Sequence, residues 1–438
     1  MLLLYTPYTT ARLVYILQFV ESILHHPIFV TTHLNEFLSS TNPVKINYSN
    51  TELTNAIYQI KPHSLLSENN IHEVFIDIDT CRGKICFFRN EADHHGFDVF
   101  AACFYLISRY EEYLPHIKDE YGRFAYTNSI AYKHGFLEKP IVNFWLQDLQ
   151  QQLHIFYPSY SIQQGNFQFI PTYDIDIAFA NLYQPVYKKV YRFFRAFIKG
   201  NIDEVLALAK VFTNQISDAF DVYGWLQHLH NTLQLQPIFF YLLAEKNGQY
   251  DKNIPPSVKG FQQFLLHQAT LQTIGIHPSW QSAYSLQTLQ NEWKWFEKII
   301  GKKPIYSRQH YIQMELPKTY ETLIQQGIQF EFSMGYGSVN GFRASVASPF
   351  FWFHLEKNKA TQMQVYSFCF MDANAYFEEG LTVEAAAKEL QQYYDTVKAV
   401  NGTLVTIFHN HFLTEQPQWI EWRKMYEHFL LKNFDNNI

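Results

Sequence analysis

Two carboxylates stand two residues apart at the end of a predicted buried strand. An apolar run over residues 167–170 leads through Pro171-Thr172-Tyr173 into Asp174-Ile175-Asp176, and residues i and i+2 of an extended chain point to the same side. One carboxylate can bind a divalent cation while its neighbour accepts a proton from the attacking water, because a bound cation lowers the pKa of water from about 15.7 toward 7. The alternative is that Asp176 only caps the helix that follows.

Three further strand-like runs also end in polar side chains. The residues that follow these runs are His277, Arg308 with His310, and His409 with His411. In a parallel α/β barrel, the active site is built at the carboxyl ends of several strands. A carboxylate pair, an arginine and several histidines at such an edge favour metal-assisted hydrolysis.

Each of these residues also has a plain structural interpretation. A single histidine such as His277 is more often a satisfied structural group than a ligand, although Pro278 forces it into an extended conformation. Arg308 would keep a neighbouring catalytic carboxylate ionised by lowering its pKa, or it would form an ordinary surface ion pair. Either His409 or His411 could donate a proton to a leaving amine near neutral pH.

Similar residue patterns nearer the N-terminus receive no function. Asp77-Ile78-Asp79 precedes Thr80-Cys81-Arg82-Gly83, which is typical of a hairpin turn. No histidine-bearing strand ends surround this pair in the sequence. Asp93-His94-His95 precedes a predicted helix start and is given the same structural interpretation.

Composition narrows the class of protein. The 438 residues are 47% apolar and 18% aromatic, which predicts a folded chain of two domains. A net charge of -6 and scattered lysines and arginines argue against a nucleic-acid partner and a polybasic membrane patch. No run reaches the ~18 apolar residues of a membrane span, and the N-terminus lacks the basic start of a signal peptide. We therefore expect no integral membrane segment and a cytoplasmic protein.

The four cysteines have no spacing that suggests a metal site. They are Cys81, Cys86, Cys103 and Cys369. So few cysteines in a long chain predict buried free thiols rather than a disulfide framework.

The predicted elements place the polar residues at strand ends. From residue 166 onward, strand-like runs alternate with helical runs, which is typical of a parallel, barrel-like sheet. The predicted strands are 167–173, 237–243, 273–276, 304–307, 328–332, 365–370 and 404–408, and the predicted helices are 183–198, 202–213, 222–233, 259–270, 286–300, 317–326 and 382–400.

The N-terminal part is predicted to be a separate, smaller α/β domain over residues 1–155. Its predicted strands are 74–78 and 84–88, and its strongest helix is 97–113. A polar, turn-rich linker at 156–165 would join it to a second domain over residues 166–438.

The motifs of the second domain resemble those of a known family. Thr172–Asp176, Gly275–Ser279, Ser307–His310 and Leu404–His409 look like the ordered motifs of NodB-type polysaccharide deacetylases, carbohydrate esterase family four. The resemblance covers roughly residues 166–412. It implies a distorted, incomplete (β/α) barrel that removes N-acetyl groups from sugar polymers with a divalent metal, commonly zinc.

The N-terminal part has a resemblance of its own. Phe97–Phe100, Ser108–Tyr113 and Tyr121–Phe124 are similar to segments of an uncharacterised domain that precedes such deacetylases in some bacterial proteins. This resemblance implies no activity.

The resemblance assigns a role to each matching residue. It implies that Asp174 is the base, that Asp176 and His277 are metal ligands, that Arg308 orients the base and that His409 is the general acid. The family motif has a second histidine four residues after the first, and this chain has Gln281 there. His310, a weaker ligand or a water would then complete the metal site.

Another family motif is not recognisable. The fourth motif, of DxxW type, has no clear match, and Glu331-Phe332 stands roughly in its place.

Two functions from different classes follow. The first is a metal-dependent hydrolase that removes N-acetyl groups from an amino-sugar glycan or, in the cytoplasm, from a lipid-linked saccharide. The second is a catalytically degenerate glycan-binding or scaffold protein, motivated by Gln281. Aromatic side chains near the predicted strand ends, including Trp280, Tyr284, Tyr336 and Trp352, could stack on sugar rings. The alternative is that they belong to the core, as most aromatic side chains of this chain must. The sequence indicates no oligomeric state.

Overall fold

The computed structural model describes residues 1–198, 200, 202–213 and 215–435. Strands and helices are mixed along the whole chain. The strands are β1 (Leu2–Tyr5), β2 (Ile28–Thr31), β3 (Lys45–Tyr48), β4 (Tyr58–Ile60), β5 (Asp79–Cys81), β6 (Lys84–Cys86), β7 (Gln168–Ile175), β8 (Ile238–Leu242), β9 (Thr273–His277), β10 (Tyr306–Ser307), β11 (Phe330–Met334), β12 (Phe350–His354), β13 (Lys359–Ser367), β14 (Phe370–Met371) and β15 (Thr403–His409).

The helices are distributed between these strands. They are α1 (Ala11–Leu24), α2 (Leu34–Ser39), α3 (Val99–Ile107), α4 (Ile130–Lys133), α5 (Ile141–Phe156), α6 (Val186–Ile198), α7 (Ile202–Phe212), α8 (Tyr223–Leu233), α9 (Lys259–Leu271), α10 (Leu286–Ile300), α11 (Lys318–Gln325), α12 (Val383–Ala399) and α13 (Ile420–Phe434). Among the described residues, no helix combines the length and the hydrophobicity needed to cross a bilayer.

Contacts between Cα atoms divide the chain into two compact units. The first unit comprises Met1–Gln168, Gly341–Ser367 and Asp395–Leu404, and the second comprises the remaining segments Phe169–Asn340, Phe368–Tyr394 and Val405–Ile438. The domain boundary near residue 160 stays a prediction.

The first unit contains a small parallel sheet in the strand order β2-β1-β3-β4. Helix α1 begins after Thr10, whose side chain accepts a hydrogen bond from the backbone of Leu13, a standard N-cap. The helix buries Ile16 and Val20, which are four residues apart and therefore lie on one face. Burial of this apolar face holds α1 in the unit.

Two predictions for the first unit are corrected. Residues 74–78 are not in a strand, and the first strand of the hairpin is β5 instead. The predicted strand over 84–88 is present in part as β6. The predicted helix over 97–113 ends at Ile107, because Arg109 adopts a left-handed backbone with φ of 54°. A 3-10 turn over Tyr110–Tyr113 follows it.

The cysteines were predicted only in part. Cys81 and Cys86 form a disulfide that closes the β5–β6 hairpin, which corrects the expectation of four free thiols. Cys103 and Cys369 are buried free thiols, as expected. Disulfides are more typical of oxidising compartments than of the cytoplasm, so the cytoplasmic location stays a prediction.

A buried ion cluster joins distant segments of the first unit. Arg109 Nε donates to Glu112 Oε1 at 2.7 Å, and Arg343 donates to both carboxylate oxygens of Glu112 at 2.8 and 2.6 Å. All three side chains are buried. Burial alone would raise the pKa of Glu112, but Arg343 and Arg109 lower it to about 2. The cluster therefore links the segment around residue 343 to the turn after α3.

The second unit is built on a parallel sheet with the strand order β11-β10-β9-β8-β7-β15-β14. The sheet curls into a half-barrel, consistent with the predicted incomplete barrel. All five residues of β8 are buried, as expected for a central parallel strand covered on both faces. Because neighbouring strands are parallel, their carboxyl ends meet at one edge.

Three elements of the C-terminal half differ from prediction. The predicted strand 365–370 is divided between β13, which ends at Ser367, and β14, which begins at Phe370 and pairs with β15. Strand β12 and helix α13 were not predicted.

Candidate active site

The polar residues predicted at strand ends lie together at the carboxyl edge of the second unit's sheet. Strands β9 and β10 are parallel, and Ile276 of β9 pairs with Ser307 of β10. His277 and Arg308, the next residues of the two strands, therefore lie side by side at this edge. Asp174 lies in β7, Asp176 is the first residue after that strand, and His409 is the last residue of β15. The sheet itself therefore positions the candidate groups.

Arg308 holds Asp174. Its Nη1 donates to Asp174 Oδ1 at 2.9 Å and to Thr172 Oγ1 at 2.7 Å, and its Nε donates to the backbone oxygen of Phe332 at 3.0 Å. The guanidinium carbon lies 4.5 Å from the ring centroid of Phe240. Arg308 is fully buried, and this burial lowers its pKa. The ion pair is thus internal, which excludes the surface ion pair considered from the sequence.

Asp176, His277 and His310 form a group that could hold a metal ion. Asp176 Oδ1 lies 3.4 Å from His277 Nε2 and 3.5 Å from His310 Nε2, and one ligand atom from each residue lies within 4.8 Å of the others. These distances are long for hydrogen bonds. Tetrahedral ligands that bind at about 2.0–2.1 Å from zinc are about 3.4 Å apart.

The state of Asp176 also fits a cation site. Its Oδ1 is buried and has no hydrogen-bond partner among the described residues. Burial alone would raise the pKa of Asp176, but His310, His277 and His409 lower it well below its usual range. A buried, ionised oxygen without a bonded partner is what a divalent cation would satisfy.

Both histidines of this group are oriented through their other ring nitrogen. His277 Nδ1 donates to the backbone oxygen of Arg308 at 2.6 Å, and His310 Nδ1 donates to Asp251 Oδ1 at 2.8 Å. Both contacts leave Nε2 to face Asp176. Such support from outside the ligand set is usual at metal sites. Burial alone would lower the pKa of His310, but Asp176 and Asp251 raise it to about 9. A cation would therefore have to displace the proton on Nε2 when it binds His310.

Gln281 lies next to this support rather than in the metal group. Its Nε2 donates to Asp251 Oδ2 at 3.0 Å, and the backbone N–H of Trp280 donates to Asp251 Oδ1 at 2.9 Å. Gln281 therefore helps to fix the carboxylate that orients His310. The third position of the group is taken by His310, from the loop after β10.

His409 is held by a carboxylate that the sequence analysis missed. His409 Nδ1 donates to Asp372 Oδ1 at 2.6 Å, and the backbone N–H of His409 donates to Asp372 Oδ2 at 2.7 Å. Its Nε2 lies 3.9 Å from Asp176 Oδ2. Burial alone would lower the pKa of His409, but Asp372, Asp176 and Asp174 raise it to about 10. His409 is therefore protonated at neutral pH.

His411 is in a different state. Its ring centroid lies 5.6 Å from that of His409. Burial and the nearby His409 lower the pKa of His411 to about 4, so it is neutral near pH 7. Of the two histidines, only His409 is in an environment that favours the charged imidazolium, the form that acts as a general acid.

Four aromatic side chains form a patch beside His310. The ring of Trp280 lies 4.5 Å from that of Tyr250, 5.7 Å from that of Tyr284 and 5.9 Å from that of Tyr311. Tyr284 and Tyr311 are exposed. Tyr336 and Trp352 are buried, which supports the core interpretation for these two and leaves Trp280 and Tyr284 as candidates for stacking on a sugar.

The sequence contained a signal for one of the missed carboxylates. Asp372 directly follows β14, so the strand-end rule that selected His277 would have selected it as well. Asp251 lies in the long loop after β8, where no local pattern marks it. Glu331, which stands near the expected fourth motif, instead accepts from Tyr320 at 2.7 Å inside the unit.

The N-terminal residues set aside from the sequence have structural contacts. Asp79 begins β5 before the turn at Arg82-Gly83. Asp93 accepts from the backbone of Lys61 at 2.9 Å, and His94 accepts from the backbone of Gln59 at 2.9 Å. These groups hold loops of the first unit.

Comparison with known proteins assigns little of the chain. The family of unknown function DUF7033 matches residues 2–158, and no curated protein matches. Among solved structures, a protein of Mycobacterium smegmatis assigned as a polysaccharide deacetylase is 12% identical, with 63% of this chain and 87% of that chain covered at a TM-score of 0.37.

Two further solved structures are similarly distant. For a polysaccharide deacetylase from Bacillus cereus, the identity is 12%, the coverage 61% of this chain and 88% of that chain, and the TM-score 0.30. For a GH57 branching enzyme from Thermococcus kodakaraensis, the values are 11%, 63%, 69% and 0.34. These likenesses are too slight to assign a family or an activity, so function has to be inferred from the site.

Proposed function

We propose that this protein is a metal-dependent hydrolase that removes N-acetyl groups from an amino-sugar glycan. The observation that carries the proposal is Asp176 Oδ1, which is buried without a hydrogen-bond partner among the described residues and faces two imidazole nitrogens at 3.4 and 3.5 Å. Asp176, His277 and His310 would hold the cation, with zinc as the expected metal. A cation bound there lowers the pKa of water and polarises a carbonyl oxygen.

Asp174 is the proposed base. It lies beside the metal group, with its Oδ2 at 3.8 Å from His277 Nε2, and it is held by Arg308 through Oδ1. Oδ2 is the oxygen left to accept the proton of an attacking water. Arg308 is a positioning residue, because it touches Asp174 and fixes the direction of its free oxygen.

His409 is the proposed acid. Its Nδ1 is bonded to Asp372, and its Nε2, on the other side of the ring, lies near Asp176. Its raised pKa of about 10 favours the protonated form at neutral pH. A leaving amine must gain a proton as the C–N bond breaks, and His409 Nε2 would supply it. Asp372 orients the ring and stabilises its charge, as the third group of a triad does.

The substrate class is proposed from the aromatic patch of Tyr250, Trp280, Tyr284 and Tyr311. An amphipathic aromatic face beside a polar site suits the apolar face of a sugar ring. The patch adjoins His310, with the Tyr311 ring 4.8 Å from the His310 ring. A sugar stacked there would place a substituent near the proposed metal group.

The test is acetate release from N-acetylglucosamine oligomers in the presence of Zn²⁺ or Co²⁺. We expect release by the unaltered protein and its loss in Asp176→Ala. Equal release by both proteins would refute the proposal. A metal-free protein that binds the oligomers without releasing acetate would instead support the alternative, a glycan-binding or scaffold protein. His310 weakens that alternative, because it occupies the position that Gln281 leaves vacant in the ligand set.

A further inference from the structure

Helix α6 presents a continuous apolar stripe to solvent. Six side chains along it are between 62% and 70% exposed, namely Tyr187, Val190, Tyr191, Phe194, Phe197 and Ile198. Their spacing of three and four residues places them on one face of the helix. Helix α7 packs against α6 and adds Ile202, which is 69% exposed, and Leu206.

This orientation is the reverse of the usual one. A surface helix normally turns its apolar stripe toward the core and its charges toward water. In α6, Ala196 is fully buried while the aromatic stripe faces outward. Exposed apolar patches of this kind mark interaction surfaces.

The charges of α6 indicate what kind of surface would cover the stripe. Residues 186–198 contain Lys188, Lys189, Arg192 and Arg195 and no acidic residue, in a chain whose net charge is -6. Four cations within one helix correct the expectation that the lysines and arginines are too scattered to form a basic membrane-binding surface. Lys188 and Arg195 are seven residues apart and lie along the border of the stripe. A basic helix with Phe, Tyr and Ile on one face is typical of segments that lie in the plane of an anionic bilayer.

We propose that α6 docks the protein onto an anionic lipid bilayer. The 13 residues of α6 are too few to span a bilayer, which needs about 20, so the helix would lie in the interface. Its tyrosine and phenylalanine rings suit the headgroup region, and its cations are attracted to anionic lipids. A second copy of this chain fits less well, because a symmetric contact would bring two sets of cations together.

The connection between α6 and the candidate site is direct. Helix α6 belongs to the segment that leaves β7 after Asp176. Asn410, next to His409, donates to the backbone oxygen of Ile177 at 3.0 Å, and Arg192 of α6 donates to Asn181 at 2.7 Å. The docking helix is therefore anchored to the loop that bears Asp176.

Docking through α6 also suggests a substrate class, and this second step rests on the proposed hydrolase function. A hydrolase held at a bilayer through α6 would act on saccharides that are themselves attached to a lipid. The substrate class inferred is a lipid-linked amino-sugar saccharide presented at the membrane surface.

The test is co-sedimentation of the full chain with vesicles, without metal or substrate. One set of vesicles is pure phosphatidylcholine and the other contains phosphatidylglycerol as well. We expect binding to the anionic vesicles, weaker binding to the neutral ones, and weakening as salt is raised. In Phe194→Ser/Phe197→Ser, binding should fall about tenfold or more, because two large rings are lost from the inserted face.

The matched control is Phe75→Ser/Ile117→Ser, which removes two exposed apolar side chains from the first unit. It should bind vesicles as the unaltered protein does. A second pair, Tyr187→Ser/Tyr191→Ser, repeats the test on the same face should the phenylalanine variant fold poorly by circular dichroism. Absence of vesicle binding, or equal binding by the α6 variants and the control, would overturn the proposal.

An activity measurement separates this proposal from the hydrolase proposal. The α6 variants should release acetate from short, water-soluble oligosaccharides at a rate within about twofold of the unaltered protein, since the substituted side chains are exposed and are neither proposed metal ligands nor proposed catalytic residues. They should lose activity only on vesicle-borne saccharide. If the protein binds vesicles but releases no acetate, membrane docking by α6 is supported and only the proposed substrate class is refuted.

Discussion

His310 Nε2 lies 3.5 Å from Asp176 Oδ1, and the opposite nitrogen of the same ring is held at 2.8 Å by Asp251. This pairing makes His310 the third ligand of the proposed metal group, in place of a residue at the position four after His277. Gln281, which stands at that position, fixes Asp251 instead. Gln281 and His310 are thus linked through a single carboxylate, that of Asp251.

Asp251→Asn should weaken metal binding without abolishing it. The amide cannot hold His310 as an ionised carboxylate does, and loss of such support typically costs about 10–100-fold in metal affinity. The measurement is competition for Zn²⁺ against a chelator of known affinity. Asp218→Asn is the control, because Asp218 is also buried in the second unit but accepts from the backbone N–H groups of residues 180–182 and 220 rather than from His310. Equal affinity in both variants would contradict the role of Asp251.

Asp372→Asn should change the pH dependence of catalysis and leave metal affinity unaltered. Asp372 is the main group that raises the pKa of His409 to about 10, so its removal lowers that pKa. The alkaline limb of the kcat profile should then move to lower pH, and kcat near pH 8 should fall about 100-fold, with little change in KM. A profile that keeps its alkaline limb would show that Asp372 does not act through His409.

Arg308→Lys should lower kcat while the metal stays bound. A lysine can replace only one of the contacts that Arg308 makes with Thr172, Asp174 and Phe332. Misplacement of Asp174 should reduce kcat about 10–100-fold. Arg12→Lys is the control, since Arg12 is also fully buried but lies in the first unit. A kcat loss of the same size in both variants would point to a general folding defect.

Glu112→Gln should destabilise the protein in a pH-dependent way. It leaves Arg109 and Arg343 buried without their shared carboxylate, which typically costs about 3–5 kcal/mol in free energy of unfolding. Glu112 has a folded-state pKa of about 2, below its ordinary 4.5. Its contribution is therefore full above pH 4.5 and is lost as the pH falls toward 2.

Urea denaturation at several pH values checks this prediction. The difference between the unaltered protein and Glu112→Gln should be largest at pH 7 and should shrink below pH 4.5. The exposed Glu120→Gln should change stability by only about 0.5 kcal/mol or less. A difference that does not depend on pH would contradict the assigned pKa.

The candidate site could be predicted from sequence where local pattern and strand position coincide. Asp174, Asp176, His277 and Arg308 all stand at or just after the ends of apolar runs, and parallel pairing is enough to gather them. Asp251 could not be found in this way, because its place depends on how a long loop returns to His310. Its contact is set by tertiary folding alone.

The fold shows the same limit. Strand β8 is apolar throughout, so its burial could be predicted from the sequence. The early end of the helix after Asp98 could not be predicted, because it depends on the left-handed backbone conformation of Arg109. Helix α6 shows another limit. The sequence predicted a helix over residues 183–198, but it gave no prediction of which face of that helix is exposed. Only the structure shows that Phe194 and Phe197 face outward.

The central claim is that one cation binds between Asp176, His277 and His310. Titration of the metal-stripped protein with Co²⁺, followed by its visible absorption, tests it directly and needs no substrate. We predict saturation at one ion per chain with the spectrum of a tetrahedral site in the unaltered protein, and loss of that spectrum in Asp176→Ala and His310→Ala. No uptake by the unaltered protein, or the same spectrum in all three proteins, would contradict the claim.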